Sequence, residues 1–363
     1  MRIALLAPPY LPVPPPGYGG TELIVYHVAE GLVKKGHDVT LFATGDSKTS
    51  AKLVSTYPKS IGNSGEIKSK PLLPLLQYID CFSRASEFEL IHNNAQYYAM
   101  FLADLVKTPV VHTIHGSFAQ GEVPEEKRTT LRRFAKHHFV SISNNQASAL
   151  PELNWAGTVY NGIDIGKFPY VEKKGDYLLW LGRVTEKKGA AEAIEVAKRS
   201  GVKLKMAGVV DPIDKSYWLE KVKPHVDRGE VEYIGELGPD DKAKLYGDAL
   251  VTLYPISWHE PFGLVMAESM ATGTPVIATR WGSVPEIVED GVTGFVIENQ
   301  KSKIKNQNLK ISEIGIDGLV EAVKKIGQIK RADCRKRVEE KFTVEKMVEG
   351  YEKVYERVIG SRV

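Results

Sequence analysis

Two glutamates stand eight positions apart in His259-Glu260-Pro261-Phe262-Gly263-Leu264-Val265-Met266-Ala267-Glu268-Ser269-Met270. The apolar run Val251–Tyr254 ahead of them reads as a buried strand, and the residues from Leu264 onward as a helix. Glu260 precedes that helix, and Glu268 lies two turns along it near the same face. A carboxylate among Val265, Met266, Ala267 and Met270 is costly to bury unless it binds something. Because a carboxylate accepts two hydrogen bonds at once, the paired hydroxyls of a sugar or ribose are apt partners. The alternative is a glutamate favoured by the helix dipole together with a surface glutamate.

Cations form a second candidate group. Gly182-Arg183 follow the run Tyr177–Leu181, and Lys187-Lys188-Gly189 open a helix through Ala190, Ala193, Ile194 and Ala197. Positive charge opposes the dipole at a helix N-terminus, which makes sense if an anion sits there. An arginine with a lysine suits a diphosphate; solvated charge is the alternative. The loop Pro8–Gly20 is stiffened by six prolines, and Gly19-Gly20 allow a ligand to approach the N-terminus of the next helix. That end favours an anion, at the carboxyl end of a strand where open α/β sheets bind ligands. A plain β–α connection is the alternative there.

Two nucleotide motifs fail. Gly17-Tyr18-Gly19 has Glu22 where a dinucleotide fingerprint needs its third glycine, and Gly162-Ile163-Asp164-Ile165-Gly166-Lys167 has one residue too few for a P-loop, with Phe168 where Ser or Thr belongs.

These groups are carried by alternating strands and helices. The strand candidates are Ile3–Ala7, Val39–Ala43, Leu90–His92, Val110–Ile114, Val140–Ser143 and Thr158–Tyr160, then Tyr177–Leu181, Lys203–Ala207, Val231–Ile234, Val251–Tyr254, Pro275–Ala278 and Phe295–Ile297. They are rich in Val, Ile and Leu without polar alternation, as in parallel sheets covered on both faces. The first helix has Thr21 as its cap, a stripe of Leu23, Ile24, Val28, Leu32 and Val33, and Gly36 at its end. Six strands in each half predict two doubly wound α/β domains, 1–167 and 168–342, with a linker near Lys167–Lys174 and an exposed loop at Lys301–Lys310. A final helix from Thr343 onward has Met347, Tyr351, Val354, Tyr355 and Val358 at helical spacing.

Composition excludes several classes. With 363 residues, about two domains are expected at ~150 residues each. A formal charge of +3, spread along the chain, does not suit nucleic acid. Cys81 and Cys334 have no metal or redox spacing and read as reduced thiols. Ile3–Ala7 is too short for a secretion signal, and no apolar run approaches the ~18 residues of a membrane span. A soluble cytoplasmic protein without an integral membrane segment is expected. No two aspartates lie two positions apart, so an Asp-x-Asp cation site is absent.

Pro255, Glu260-Pro261-Phe262-Gly263-Leu264 and Glu268, followed by Ala271-Thr272-Gly273-Thr274-Pro275-Val276-Ile277-Ala278, resemble the signature of retaining glycosyltransferases of family 4, which have the GT-B fold. The resemblance extends to Gly19-Gly20-Thr21-Glu22, Thr113-Ile114-His115-Gly116, Asn161-Gly162-Ile163-Asp164, Gly182-Arg183 with Lys188-Gly189, and Gly282-Ser283-Val284-Pro285-Glu286. It implies two Rossmann-like parallel-sheet domains facing across a cleft, with helix 343–363 packing back on the first. Arg183 and Lys188 would clamp the donor diphosphate, and Gly19 and Gly20 would complete that site. Glu268 would hold the ribose and Glu260 the donor-sugar hydroxyls. Amides at Phe262, Gly263 and Leu264 would approach sugar and phosphate. His115 would lie near the transferred sugar, and Glu236 and Leu237 in the base-binding loop; His112 has no match and reads as structural.

The reaction so implied moves a hexose from a nucleoside-diphosphate sugar, best UDP-glucose, to a small-molecule, glycan or lipid-linked hydroxyl. The product would retain the anomeric configuration, and no cofactor or metal would be needed. The alternative is a nucleotide-sugar epimerase or hydrolase on the same fold. The chain departs from the pattern at Ser269, where Ala is common, and at Trp258-His259 ahead of Glu260.

Overall fold

The computed structural model describes the chain apart from residues 63–66, 68–69, 71, 96, 299–314 and 361–363 and the side chains of 239 and 240. The expected loop at Lys301–Lys310 therefore lies outside the described residues. Two compact units are present, Met1–Gly162 with Val344–Val363, and Ile163–Thr343.

The first unit is built on a seven-stranded parallel sheet. Its strands are β1 (Arg2–Leu6), β2 (Asp38–Phe42), β3 (Lys52–Val54), β4 (Leu90–Asn93), β5 (Val110–Thr113), β6 (His138–Ser141) and β7 (Trp155–Thr158). Their order is β3-β2-β1-β4-β5-β6-β7. β1 pairs with β2 through Ile3↔Val39 and with β4 through Ile3↔Leu90. The order reverses between β1 and β4, the switch point at which doubly wound sheets bind ligands. Central strands are fully buried, which is why they read as unbroken apolar runs. β3 escaped the sequence reading because it is a short edge strand, mostly half-buried, with no such run. β7, at the other edge, begins at Trp155 rather than Thr158, and β6 at His138 rather than Val140.

Helix α1 (Gly20–Lys34) buries Ile24, Val25, Val28 and Leu32. Its N-cap is Gly19 and not Thr21, and no side chain caps it. Gly36 follows the helix with φ 86, in the left-handed conformation that ends helices readily. Also in this unit are α2 (Leu72–Ser83), α3 (Met100–Ala103), α4 (Glu125–Arg133) and α5 (Asn144–Ser148).

The second unit carries β8 (Leu178–Leu181), β9 (Leu204–Ala207), β10 (Val231–Gly235), β11 (Val251–Tyr254), β12 (Val276–Thr279) and β13 (Gly294–Ile297). These form a six-stranded parallel sheet, β10-β9-β8-β11-β12-β13, switching between β8 and β11. Its helices include α6 (Ala190–Ser200), α7 (Lys223–Asp227), α8 (Pro239–Gly247), α9 (Leu264–Ala271), α10 (Val284–Ile287), α11 (Gly315–Lys325) and α12 (Arg331–Lys341).

The unit break falls at Gly162–Ile163, ahead of the expected Lys167. The stretch read as a linker is bound into the second unit. Phe168 is buried, Val171 N–H donates to Thr272 O at 3.0 Å, and Lys174 Nζ donates to Gly327 O at 3.1 Å. Arg331 secures the same region with its guanidinium, which donates to Val171 O (2.6 Å), Gly247 O (2.9 Å) and Ala249 O (3.0 Å).

Helix α13 (Val344–Gly360) belongs to the first unit and buries Met347, Val348, Tyr351, Val354, Tyr355 and Val358. Its Tyr355 hydroxyl meets buried His92 Nδ1 at 2.7 Å, joining the helix to β4.

Candidate functional site

In the second unit the switch point between β8 and β11 gathers the charged groups. Arg183 lies just past β8, and Lys188 ends the 3₁₀ turn Glu186–Lys188, capped by the Thr185 hydroxyl. The lysine is therefore placed before α6, not within its first turn. Gly189 has φ 71, and a Cβ there would sit 2.0 Å from Pro255 O, so only glycine lets this turn lie against the β11 loop.

That contact brings Lys188 to Glu260. Their side chains form an ion pair, and the Tyr254 hydroxyl also donates to the same carboxylate oxygen. Lys188 Nζ lies 3.2 Å from the Tyr254 hydroxyl and 4.7 Å from the Trp258 ring centroid, a cation–π arrangement. Glu260 is buried, its charge compensated by the lysine as burial requires. Among the described residues the buried indole N–H of Trp258 meets no acceptor. The Glu260 loop is braced from behind, since Ser283 N–H donates to Glu260 O (2.9 Å) and Ser283 Oγ to Phe262 O (2.7 Å).

Gly263 caps α9 with φ 83, and a Cβ there would crowd Met266 Cε at 2.5 Å and Glu260 Cγ at 3.2 Å. Phe262 is buried, and Leu264 begins the helix. Along it, Glu268 is also buried, receiving Lys242 Nζ at 2.7 Å and the Tyr246 hydroxyl at 3.1 Å. The reading of Glu268 as a surface residue is thus excluded. Each of its oxygens holds one protein partner, leaving lone pairs for a vicinal diol. Glu236 and Leu237 follow β10, the glutamate exposed and the leucine half-buried. Arg183 faces Asp214 (3.4 Å) and Asp211 (4.0 Å). Burial raises the Asp214 carboxyl above its usual range; Arg183 opposes that rise and Asp211 adds to it.

In the first unit, Gly19 and Gly20 stand at the start of α1, after β1, with Glu22 buried in the first helical turn. His115 lies past the end of β5, its Nε2 3.0 Å from Asn94 Oδ1, and Asn94 follows β4. Burial lowers the imidazole to about 4, so the ring is neutral near pH 7. With Nε2–H donating to Asn94, Nδ1 is left as an acceptor. Among the described residues the buried Asn94 Nδ2 meets no partner. His112 is a core residue, bonded to Asn93 Nδ2 (2.9 Å) and His137 Nδ1 (3.1 Å).

Sequence reasoning did not anticipate Tyr254, Lys242, Tyr246, Asp211, Asp214 or Asn94. The signals for three of them are local: Lys242 and Tyr246 lie one turn apart on α8, and Tyr254 ends the strand leading to Glu260.

Residues 165–333 match the family model described as glycosyl transferases group 1, and residues 18–167 that of glycosyltransferase family 4. The D-inositol 3-phosphate glycosyltransferase of Pseudarthrobacter chlorophenolicus is 25% identical, with 82% of this chain and 83% of that protein covered. Sucrose-phosphate synthase from Thermosynechococcus elongatus shares the fold at TM-score 0.80, with 18% identity over 99% of this chain and all of that one. The Anabaena HepE protein in complex with UDP-glucose shares it at TM-score 0.71, with 17% identity over the whole of both chains. Two parallel-sheet α/β units, the charged switch-point loops and both family matches lead to one conclusion: the chain belongs to the group 1, family 4 glycosyltransferases with the GT-B fold.

Proposed function

We propose that this glycosyltransferase moves a hexose from a nucleoside-diphosphate sugar, with UDP-glucose the first choice, to an acceptor hydroxyl with retention of configuration. The acceptor is a small molecule, a glycan or a lipid-linked sugar. The observation that carries this reading is the half-buried Lys188 paired with buried Glu260, backed by Tyr254 and Trp258 at the left-handed entry to α9. The structural neighbour with UDP-glucose supports the donor.

In this reading Arg183 and Lys188 stabilise the charge that develops as the diphosphate leaves. Lys188 serves phosphate and Glu260 together, so Glu260 keeps its countercharge while accepting hydrogen bonds from donor-sugar hydroxyls. Glu268 accepts from the ribose, and amides at Phe262, Gly263 and Leu264 approach the sugar and phosphate. Gly19 and Gly20 contribute the anion-binding end of α1, while neutral His115 presents Nδ1 to a sugar hydroxyl. Glu236 and Leu237 flank the base. The bond from the anomeric carbon to the phosphate oxygen breaks while the acceptor oxygen bonds on the same face. The acceptor proton passes to the departing phosphate, so no carboxylate nucleophile is required.

Two cations supply the charge in this scheme, and we infer that transfer proceeds without a divalent metal. Buried Cys81 and Cys334, both free thiols, support a reducing compartment, the cytoplasm. No site feature and no relative supports the epimerase or hydrolase alternative. The test is a comparison of UDP, GDP and ADP by thermal shift, followed by product analysis with the matching sugar. UDP at 100 times its Kd should stabilise the protein by ~2.7 kcal/mol. Stabilisation by none of the three, or release of free sugar without an acceptor, would overturn the assignment.

A further inference from the structure

A buried hydrogen-bond donor that meets no acceptor costs the fold free energy unless a ligand offsets it. Trp258 carries such a donor. Its side chain is half-buried and its indole nitrogen fully so, yet among the described residues that N–H meets no acceptor. Two other indoles show the ordinary arrangement, Trp155 donating to Leu150 O at 3.0 Å and Trp180 to Lys188 O at 2.9 Å.

The place of Trp258 is set by the site itself. It stands two residues ahead of Glu260, in the stretch where the chain departs from the family pattern, and its carbonyl accepts from Glu260 N–H at 2.9 Å. Beside it, Ser257 N–H donates to Lys187 O at 3.0 Å, which ties this loop to the turn that carries Lys188. Two tryptophans therefore hold Lys188. Trp180 donates to its carbonyl, and the ring of Trp258 faces its ammonium, with Nζ 4.7 Å from the ring centroid.

The polar groups around the indole are donors with other partners. The Tyr254 hydroxyl directs its proton to Glu260. An ammonium has three N–H groups, and those of Lys188 go to Glu260 and to the Tyr254 hydroxyl, which leaves one. An oxygen that met this remaining N–H and the indole N–H would satisfy both donors at once. Its chemistry follows from the ring. An aromatic face is negative and its edge positive, so a cation on the face strengthens the N–H as a donor. A hydrogen bond to an ionised oxygen is about twice as strong as one to a neutral oxygen, which favours an anion over a sugar hydroxyl.

We propose that Trp258 is a third ligand of the donor diphosphate: its ring holds Lys188 in place, and its N–H donates to a phosphate oxygen that Lys188 also meets. This inference rests on the reading of the site as one for a nucleoside-diphosphate sugar and adds a residue to it. Two measurements on the full-length protein test it. In a nitrogen–proton correlation spectrum of isotope-labelled protein, each of the five tryptophans gives one indole signal, and Trp258→Phe identifies that of Trp258 by its loss. Saturating UDP should move that signal downfield, whereas uridine, which has no phosphate, should leave it in place. In calorimetric titration Trp258→Phe should bind UDP about tenfold more weakly or worse, as expected for a lost hydrogen bond to a charged group. Its affinity for uridine should be unchanged. Trp258→Leu, which also strips the ring from Lys188, should bind UDP more weakly still. Unchanged melting temperatures of the free variants show that both fold. A Trp258 signal that saturating UDP leaves unmoved or that uridine moves equally, or wild-type UDP affinity in Trp258→Phe, would overturn the proposal and leave the donor assignment standing. Binding of none of UDP, GDP and ADP by the wild type would overturn both.

Discussion

At the residue scale, two buried glutamates share one chemical device. Each carboxylate is held by a lysine and a tyrosine hydroxyl, Glu260 by Lys188 and Tyr254, Glu268 by Lys242 and Tyr246. Their assigned ligands differ, so their variants should fail differently. Glu268→Ala removes an acceptor for ribose and should weaken free UDP and UDP-sugar alike. Losing hydrogen bonds to a charged group costs about 1.5–3 kcal/mol, roughly 10- to 150-fold in affinity. Glu260→Ala releases Lys188 toward the diphosphate and should leave free UDP affinity nearly unchanged while kcat falls. Calorimetric titration of UDP against both variants decides it; equal losses would reverse the assignment. Chelation gives an independent check, because treatment with EDTA should leave transfer intact if Arg183 and Lys188 carry the charge. Loss restored by Mg²⁺ or Mn²⁺ would contradict that reading. The carboxylates and their strand-to-helix setting were legible in the sequence because a charge beside Val265, Met266 and Met270 is anomalous. Their counter-ions were not, since Lys242 reaches Glu268 from another helix and only tertiary packing joins them.

At the element scale, the approach of the Glu186–Lys188 turn to the β11 loop makes the site. Gly189→Ala would place a methyl group 2.0 Å from the Pro255 carbonyl oxygen, in a conformation with φ 71 that side chains rarely adopt. Neither backbone can yield without moving Lys188 from Glu260. The expected outcome is a loss of about 1–3 kcal/mol in stability, with a fall in kcat that adding substrate does not restore. Denaturant melts and steady-state kinetics measure the two parts, and a variant with wild-type values would show that the turn shifts freely. The same elements show what sequence patterning reveals. Strands buried on both faces announce themselves as unbroken apolar runs, so β1, β5 and β11 were readable. Edge strands do not, as β3 and the start of β7 show. The cap of α1 was misread because Gly19, with no side chain to offer, occupies the position where Thr21 has the better chemistry.

At the scale of the whole molecule, ionisable groups are divided unequally between the units. Seven of the nine histidines lie in the first unit, and three of them are held neutral by burial. His115 is lowered to about 4, His92 to about 3, and His112 well below its ordinary value. An unfolded chain protonates these rings near pH 6.5, whereas the folded unit refuses the protons until its own lower values are reached. The unfolded state therefore binds more protons as pH falls below 6.5, and stability declines from there toward about pH 4, where His115 begins to charge in the fold. All three rings act in the same direction, so acidification from pH 6.5 toward about 4 should destabilise the first unit. These lowered rings all lie in the first unit, so the sheet of the second unit should outlast that of the first. Hydrogen exchange at pH 7.5 and pH 5 reads this directly, with protection lost in β1, β4 and β5 while β8, β11 and β12 keep theirs. His92 is the ring to remove, because its bonds to Thr113 (2.8 Å) and Tyr355 (2.7 Å) join β4 to β5 and α13. His92→Gln should melt earlier at pH 7.5 yet lose less on acidification. Parallel pH slopes for variant and wild type would mean that the acid sensitivity arises elsewhere.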